Sequence, residues 1–253
     1  LLPEVPQLFN KSSSGSKPHA FQSYEAKIWR ESCVICIQEA AMFFPFSKRN
    51  PQNQNNLHNR SKGMILPTPR LILRDFEAND WNRVFEYQSE PEYARFNSWN
   101  QRTAKDVKAF VNRFIDWQYE TPRTRYQLAI VLRSEQKVIG NCGVRSTSPW
   151  NDAEIGFELD RQYWHQGYAT EAANAVLEFA FTRLNLPQVR AHCVSENLAS
   201  AAVLRRLGMT FEKTDRNSLW MKDQWWNTDH FVLPRTSWER SFRGEHAGRA
   251  QMQ

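Results

Sequence analysis

The chain has 253 residues, 41% hydrophobic and 24% charged, the balance of an ordinary globular protein with room for one large domain or two small ones. Nine Gly, four Cys and the lack of sustained heptads exclude collagen-like, disulfide-scaffold and coiled-coil readings, and no apolar run reaches the ~20 residues of a membrane span. The formal charge of +6 sits in the tails, +4 over residues 1–62 and +2 over 240–253, so the neutral middle gives no basis for a nucleic-acid partner.

Residues 1–63 read differently from the rest. Ser12 to Ser16 is a flexible stretch, and the Asn/Gln-rich run 49–60 has almost nothing to bury, so neither can offset the entropy of ordering. Between them Tyr24 to Phe46 has apolar residues enough for a helix, stopped by Pro45. No secretory signal is evident. The chain begins with Leu, and Met64 is the first Met to open a globular pattern. Residues 1–63 are therefore expected to be a processed leader, a fusion remnant or translation from upstream of the true start, with a genuine flexible extension as the alternative. Cys33 and Cys36 form a CxxC without a second pair or a spaced His pair, so no metal site is expected. Cys142 and Cys193 lie in apolar surroundings and read as buried free thiols, which fits a reducing, cytoplasmic compartment.

From Met64 the punctuation becomes regular. Arg70 to Arg74 alternates like a strand. Asn79-Asp80 can cap a helix through Trp81, Val84, Phe85 and Tyr87. Thr103 to Tyr119 carries a helical apolar stripe, with Thr103 as N-cap and Asp106 three residues on. Tyr126–Leu132, Lys137–Val144 and Asp152–Leu159 read as strands, and Thr170–Leu184 as a helix. Gln188–Val194 is a strand, Ala199–Leu207 a short helix ended by Gly208, and two strands follow near Phe211–Lys213 and Asp229–Leu233. The order β-α-α-β-β-β-α-β-α-β-β predicts an α/β (α+β) domain over 64–240 with a mixed, mostly antiparallel central sheet and helices on both faces, followed by a flexible basic tail over 241–253.

The most informative segment runs from Glu154 to Glu171. A strand leads through a turn to Gly167 and directly into a helix, whose N-terminal N–H groups attract an anion. Gly167 and the small Ala169 let that anion come close. The segment has no Walker lysine-serine pair and no GxGxxG, which argues against nucleotide hydrolysis and against a dinucleotide site.

In this context the sequence resembles the GNAT superfamily of acetyl-CoA-dependent N-acetyltransferases, in the branch of RimJ/RimL-like ribosomal-protein N-terminal acetyltransferases. Four stretches between Pro67 and Arg240 carry the resemblance. Thr68 to Phe76 is similar to the opening strand, and Ala153 to Phe157 to the fourth strand. Tyr163 to Ala172 is similar to the pyrophosphate loop and its helix, and Ser195 to Ser200 with Leu207 to Phe211 to the second cofactor motif. The resemblance implies acetyl-CoA as cosubstrate, with the pyrophosphate held by backbone N–H groups over His165, Gln166, Gly167, Tyr168, Ala169 and Thr170. It implies that Phe157 and Leu159 pair with the pantetheine arm and that the strand through Val194 splays away. Asn197 and Ser200 match positions facing that arm, although polar residues opening a helix can equally be caps.

Acetyl transfer needs a free amine, and an amine is mostly protonated at neutral pH, so a general base is required. Glu154 matches the position where some members of the superfamily place a catalytic Glu and is the candidate, ahead of Glu158 on the same strand face. Many members use a Tyr seven residues after the position of Asn197 as general acid; Leu204 stands there, and no residue takes its place, Ser200 and Tyr168 being the nearby hydroxyls. Tyr93 to Trp99, with Trp99 as its outermost aromatic, and Trp225-Trp226 in a loop before the last strand are expected to flank the acceptor or to pack as core. The expected function is acetyl transfer to a primary amine, foremost a protein or peptide N-terminus, by direct attack in a ternary complex. A small amine as acceptor and an inactive CoA-binding module are the alternatives. A monomer or homodimer is expected.

Overall fold

The computed structural model describes residues 63–146 and 153–241. The expectations for the helix over 24–46, the CxxC, the polar run and the basic tail beyond 241 lie outside the described residues. Among the described residues there are eight strands and five helices. The strands are β1 (Ile65–Pro67), β2 (Leu71–Asp75), β3 (Arg125–Leu132), β4 (Lys137–Arg145), β5 (Glu154–Leu159), β6 (Gln188–Val194), β7 (Thr210–Met221) and β8 (Gln224–Pro234). The helices are α1 (Trp81–Gln88), α2 (Ala104–Trp117), α3 (Tyr168–Thr182), α4 (Leu198–Arg206) and a terminal α5 over 235–241. The strands form one sheet in the order β1-β2-β3-β4-β5-β6-β8-β7. Every neighbouring pair is antiparallel except β5 and β6.

Both faces of the sheet are covered. On one, α3 lays Ala172, Ala173, Val176, Leu177, Ala180 and Phe181 against Leu73, Leu128, Ile130 and Ile155. The alanines let the helix approach closely, and the residues alternate out of the strands with the period of two. On the other face α1 and α2 pack Val84, Val107, Phe110, Val111 and Phe114 over Ala129, Val131 and Val138. The predicted cap of α2 is present: Thr103 Oγ1 accepts from the Asp106 N–H at 3.3 Å, and Asp106 Oδ2 accepts from the Thr103 N–H at 2.9 Å.

Four elements differ from the sequence reading. The short β1 and the terminal α5 were not anticipated, and the last two strands are far longer than expected. Trp225 and Trp226 consequently lie in β8, not in a loop before it. The physical reason is that β7 is an edge strand whose residues 210–214 are all exposed, so it shows no alternation to read. The turn joining it to β8 is built from Lys222 and Asp223, both at positive φ (53° and 58°), without the glycine that marks such hairpins. One close approach fixes the middle of the sheet: a Cβ on Gly140 of β4 would meet the carbonyl oxygen of Glu158 at 2.2 Å, so only glycine lets β4 and β5 pair there.

Phe114 is fully buried and is the hub of the second core, 5.1 Å from Phe76, 4.5 Å from Phe110 and 5.2 Å from Trp117 between ring centroids. Phe114→Ala is expected to cost about 3–5 kcal/mol in urea unfolding. A loss below about 1 kcal/mol would mean that the α2 face is not packed as described.

Candidate active site

The site begins at the junction of β5 and β6. These strands run parallel and share one register pair, Glu154 opposite Arg190, reinforced by the Arg190 N–H donating to the Ala153 carbonyl at 2.9 Å. From Ile155 onward β5 pairs with β4 alone, while β6 pairs with β8. The gap opens into a cleft of about 700 Å3. Its walls come from the turn over 92–97, from β5, from the loop 163–170 and from the start of α4.

Of the predicted cofactor residues, Phe157, Leu159, His165, Gly167, Tyr168, Ala169, Thr170, Asn197 and Ser200 all line this cleft; Gln166 does not. Gln166 instead offers its carbonyl to Arg70 Nη1 at 3.0 Å. Gly167 has φ = +80°, a left-handed conformation that favours glycine, and His165 is also left-handed at φ = +59°. Gly167 is the N-cap of α3 and contributes no side-chain cap, so the first N–H groups of the helix point out beside Tyr168, Ala169 and Thr170 without one. By contrast α4 is capped: Asn197 Oδ1 accepts from the Ser200 N–H at 3.1 Å. Asn197 thus does the capping that the sequence left open and lines the cleft as well.

The loop is held by a clamp that sequence reasoning missed. Glu171 in the first turn of α3 receives Thr68 Oγ1 at 2.6 Å, the Arg70 N–H at 2.9 Å and Arg70 Nε at 2.6 Å. The Arg70 guanidinium also lies over the Tyr168 ring at 4.2 Å. Burial acts to raise the Glu171 carboxyl, but the bonds from Thr68 and Arg70 outweigh it and hold the group below its usual range.

The two candidate carboxylates separate. Glu154 stands at the paired end of β5, half-exposed and outside the cleft wall, with Oε1 3.4 Å from Nδ1 of His192. Glu158, ranked second from the sequence, is 5% exposed and lines the cleft. Its Oε1 receives Tyr87 Oη at 3.0 Å and Gln88 Nε2 at 3.1 Å; Tyr93 Oη and Asn141 Nδ2 donate to it as well. Asn141 stands directly opposite on β4 and is itself oriented by Gln127 Nε2 at 2.6 Å. Burial pushes the Glu158 carboxyl up, and these donors with the nearby Arg102 charge offset only part of the rise. Tyr87 and Tyr93 are raised well above 10 by burial and by the Glu158 charge, so both stay protonated and donating.

The aromatic residues expected at the acceptor are distributed differently. Tyr93 and Phe96 line the cleft; Trp99, Trp225 and Trp226 do not. Trp99 stacks on the back of Tyr93 at 6.0 Å. Trp226 packs edge-on against Phe96 at 6.0 Å, and Trp225 is exposed beside Trp220. The turn of the β7–β8 hairpin is bolted to the segment that forms this wall, with Lys222 Nζ donating to the Ala94 carbonyl at 2.6 Å. Leu204, at the place of the superfamily's usual acid, is buried core, whereas the hydroxyl residues Ser200 and Tyr168 line the cleft.

The clamp has a pH signature. Because Glu171 is depressed in the fold, its contribution to stability is present above the carboxyl's ordinary unfolded value and is lost as pH falls through the lower folded value. The stability gap between the parent and Glu171→Gln is therefore expected to be constant above about pH 5 and to close below it. A gap that stays flat down to about pH 3 would remove the charged clamp.

Comparison with known proteins identifies the family. Residues 70–210 match the family described as Acetyltransferase (GNAT) domain. YnaD of Bacillus subtilis (strain 168), an uncharacterised N-acetyltransferase, is 31% identical over 175 residues, 69% of this chain and 99% of its own. The p20 protein of Bacillus licheniformis, also an uncharacterised N-acetyltransferase, is 33% identical over 153 residues, 58% of this chain and 82% of its own. Among solved structures, a GNAT-family acetyltransferase from Bacillus anthracis matches with a TM-score of 0.61 at 26% identity, over 68% of this chain and 99% of that one. RimL, the ribosomal L7/L12 alpha-N-protein acetyltransferase in complex with coenzyme A, matches with a TM-score of 0.60 at 18% identity, over 68% of this chain and 98% of its own, a likeness of fold. With a family match over more than half its length and a relative aligned along nearly the whole of that relative's sequence, the chain belongs to the GNAT family of N-acetyltransferases.

Proposed function

We propose that the enzyme acetylates the α-amine of a protein or peptide N-terminus, with acetyl-CoA as donor and Glu158 as the group that receives the amine proton. The observation that carries this reading is the buried carboxylate of Glu158 in the cleft wall, raised by burial and surrounded by donors that stay protonated.

Acetyl-CoA supplies an acetyl group activated as a thioester. The residues present fit it. The left-handed Gly167 and the N–H groups beside Tyr168, Ala169 and Thr170 suit the pyrophosphate, and the side of β5 that β6 leaves unpaired suits the amides of an extended arm. Glu158 stands further along the same cleft. An amine at the free end of a chain can reach a carboxylate that is 5% exposed in the wall of the cleft. An α-amine, with a pKa of about 8, also costs less to deprotonate than a lysine at about 10.4. Glu158 attracts the incoming ammonium, and a carboxylate raised by burial is a better base at neutral pH than an ordinary one. Tyr93 and Tyr87 hold it in place. Ser200 and Tyr168 are the hydroxyls available to the departing thiolate.

Glu158→Gln is expected to lower kcat by about 10²–10⁴-fold while acetyl-CoA binding, read by calorimetry, persists. Glu154→Gln is expected to stay within about fivefold of the parent, and the opposite ranking would return the role to Glu154. In the parent, kcat/KM is expected to fall on the acid side with a midpoint above the ordinary carboxyl range, and Glu158→Gln to lose that limb. N-terminal peptides should outperform small amines and peptides with blocked termini; turnover of small amines alone would overturn the peptide reading.

A further inference from the structure

Behind the cleft, and not part of its lining, stands Arg102. Its Nη1 donates to Gln88 Oε1 at 3.0 Å. Its guanidinium lies 5.0 Å from the centre of the Trp99 ring and 4.8 Å from that of Phe110. Gln88 is 1% exposed, and its Nε2 faces Glu158, 3.1 Å from Oε1 and 3.4 Å from Oε2. A glutamine amide can turn either end toward a neighbour. An arginine has only donors, and an ionised carboxylate only acceptors. With Arg102 on one side, the amide can satisfy both neighbours in one orientation alone, oxygen to Arg102 and NH2 to Glu158.

We propose that Arg102 is a positioning residue for the reaction: through the Gln88 amide it fixes the orientation and the charge state of the Glu158 carboxylate without touching substrate. This rests on the role proposed for Glu158. The aromatic rings hold the guanidinium in place, and the positive charge behind the amide favours the ionised carboxylate in front of it. The groups that act on Glu158 from the packed elements are Tyr87 and Gln88 of α1, Tyr93 of the following turn, Asn141 and Arg145 of β4, and Arg102 just before α2, with Arg113 of α2 acting on Arg102. Of Arg102 and Arg145, Arg102 is the one joined to Glu158 by a hydrogen-bonded amide. Arg145 stands in register with Glu154 at the other end of β5.

The test reads Glu158 with and without turnover. In the full chain, the stability difference between the parent and Glu158→Gln is followed against pH. As pH rises from the unfolded carboxyl value, a raised folded pKa makes the parent progressively less stable relative to Glu158→Gln. The difference levels off at the folded pKa of Glu158. In the Arg102→Met background this plateau is expected to start about one pH unit higher, a tenfold tighter hold on the proton, and the acid limb of kcat/KM is expected to move with it. Gln88→Met is expected to move both in the same direction, and Arg102→Met with Gln88→Met together no further than the larger single change, because the two act as one path. Arg102→Lys keeps the charge but loses the planar fork and is expected to give a smaller shift of the same sign, which serves if Arg102→Met does not fold. A plateau that moves less than about twofold in proton affinity, or shifts that add in the double variant, would overturn the proposal. If the plateau moves while Glu158→Gln retains full activity, the positioning of the carboxylate stands and it is the proposed role of Glu158 that fails.

Discussion

The site depends on how little β5 and β6 pair. A strand in the middle of a sheet ordinarily spends its backbone groups on two neighbours, and leaving one side unpaired in a buried setting is costly. Here β5 spends one side on β4 and shares only the Glu154–Arg190 position with β6. The antiparallel pairs on either side, β4–β5 and β6–β8, hold the two strands firmly, so the opening does not collapse. What results is a groove with a hydrogen-bonding edge, the hydrophobic side chains Phe157 and Leu159 in its wall and the start of α3 alongside. The same splay also brings the rim of α4, with Asn197 and Ser200, to the other side.

The second constraint is the burial of charge. Glu158 is enclosed in the layer between the sheet and α1, where an isolated carboxylate would be expensive. The fold meets that cost with donors drawn from three separate elements, and it holds those donors with others: Gln127 on Asn141, Arg102 on Gln88, Trp99 against Tyr93. The turn over Tyr93–Phe96 is in turn tied down by Lys222 and Trp226 from the far hairpin. Elements distant in the chain thus converge on one carboxylate, and burial still prevails, leaving it above its ordinary range. A group kept uncomfortable in the folded state is a sign of function more than of stability.

Much of this was legible in the sequence, and the limits have physical causes. The helix starts at Thr103 and Asn197, the Gly167 turn and the strands from β2 to β6 follow from local chemistry that a single chain displays. The clamp of Thr68 and Arg70 on Glu171 does not, because it joins residues 103 and 101 positions apart whose types are ordinary on any surface. Gln88, Asn141 and Arg102 were invisible for the same reason: no local pattern marks a polar residue as facing a carboxylate from another element. The hairpin β7–β8 escaped because an exposed edge strand has no burial period to show, and its turn has no glycine.

The two carboxylates of β5, Glu154 and Glu158, are the most instructive contrast. The two share a strand face by the period of two, so sequence spacing treats them alike. What separates them is the geometry of the sheet. Glu154 stands where β6 still pairs, and there the neighbouring strands carry polar side chains instead of a covering helix. His192 stacks on His230 at 5.7 Å, and His230 Nε2 lies 2.9 Å from Asp215 Oδ2. That chain of groups runs from the half-exposed Glu154 on β5 through the buried His192 on β6 and across β8 to the edge strand β7, outside the cleft. Four residues on, β6 has separated, α1 and the Tyr93 turn have closed over the face, and the same residue type becomes a buried, raised carboxylate beside an open groove. Identical side chains on one face of one strand acquire different chemistry because the partner strand leaves between them.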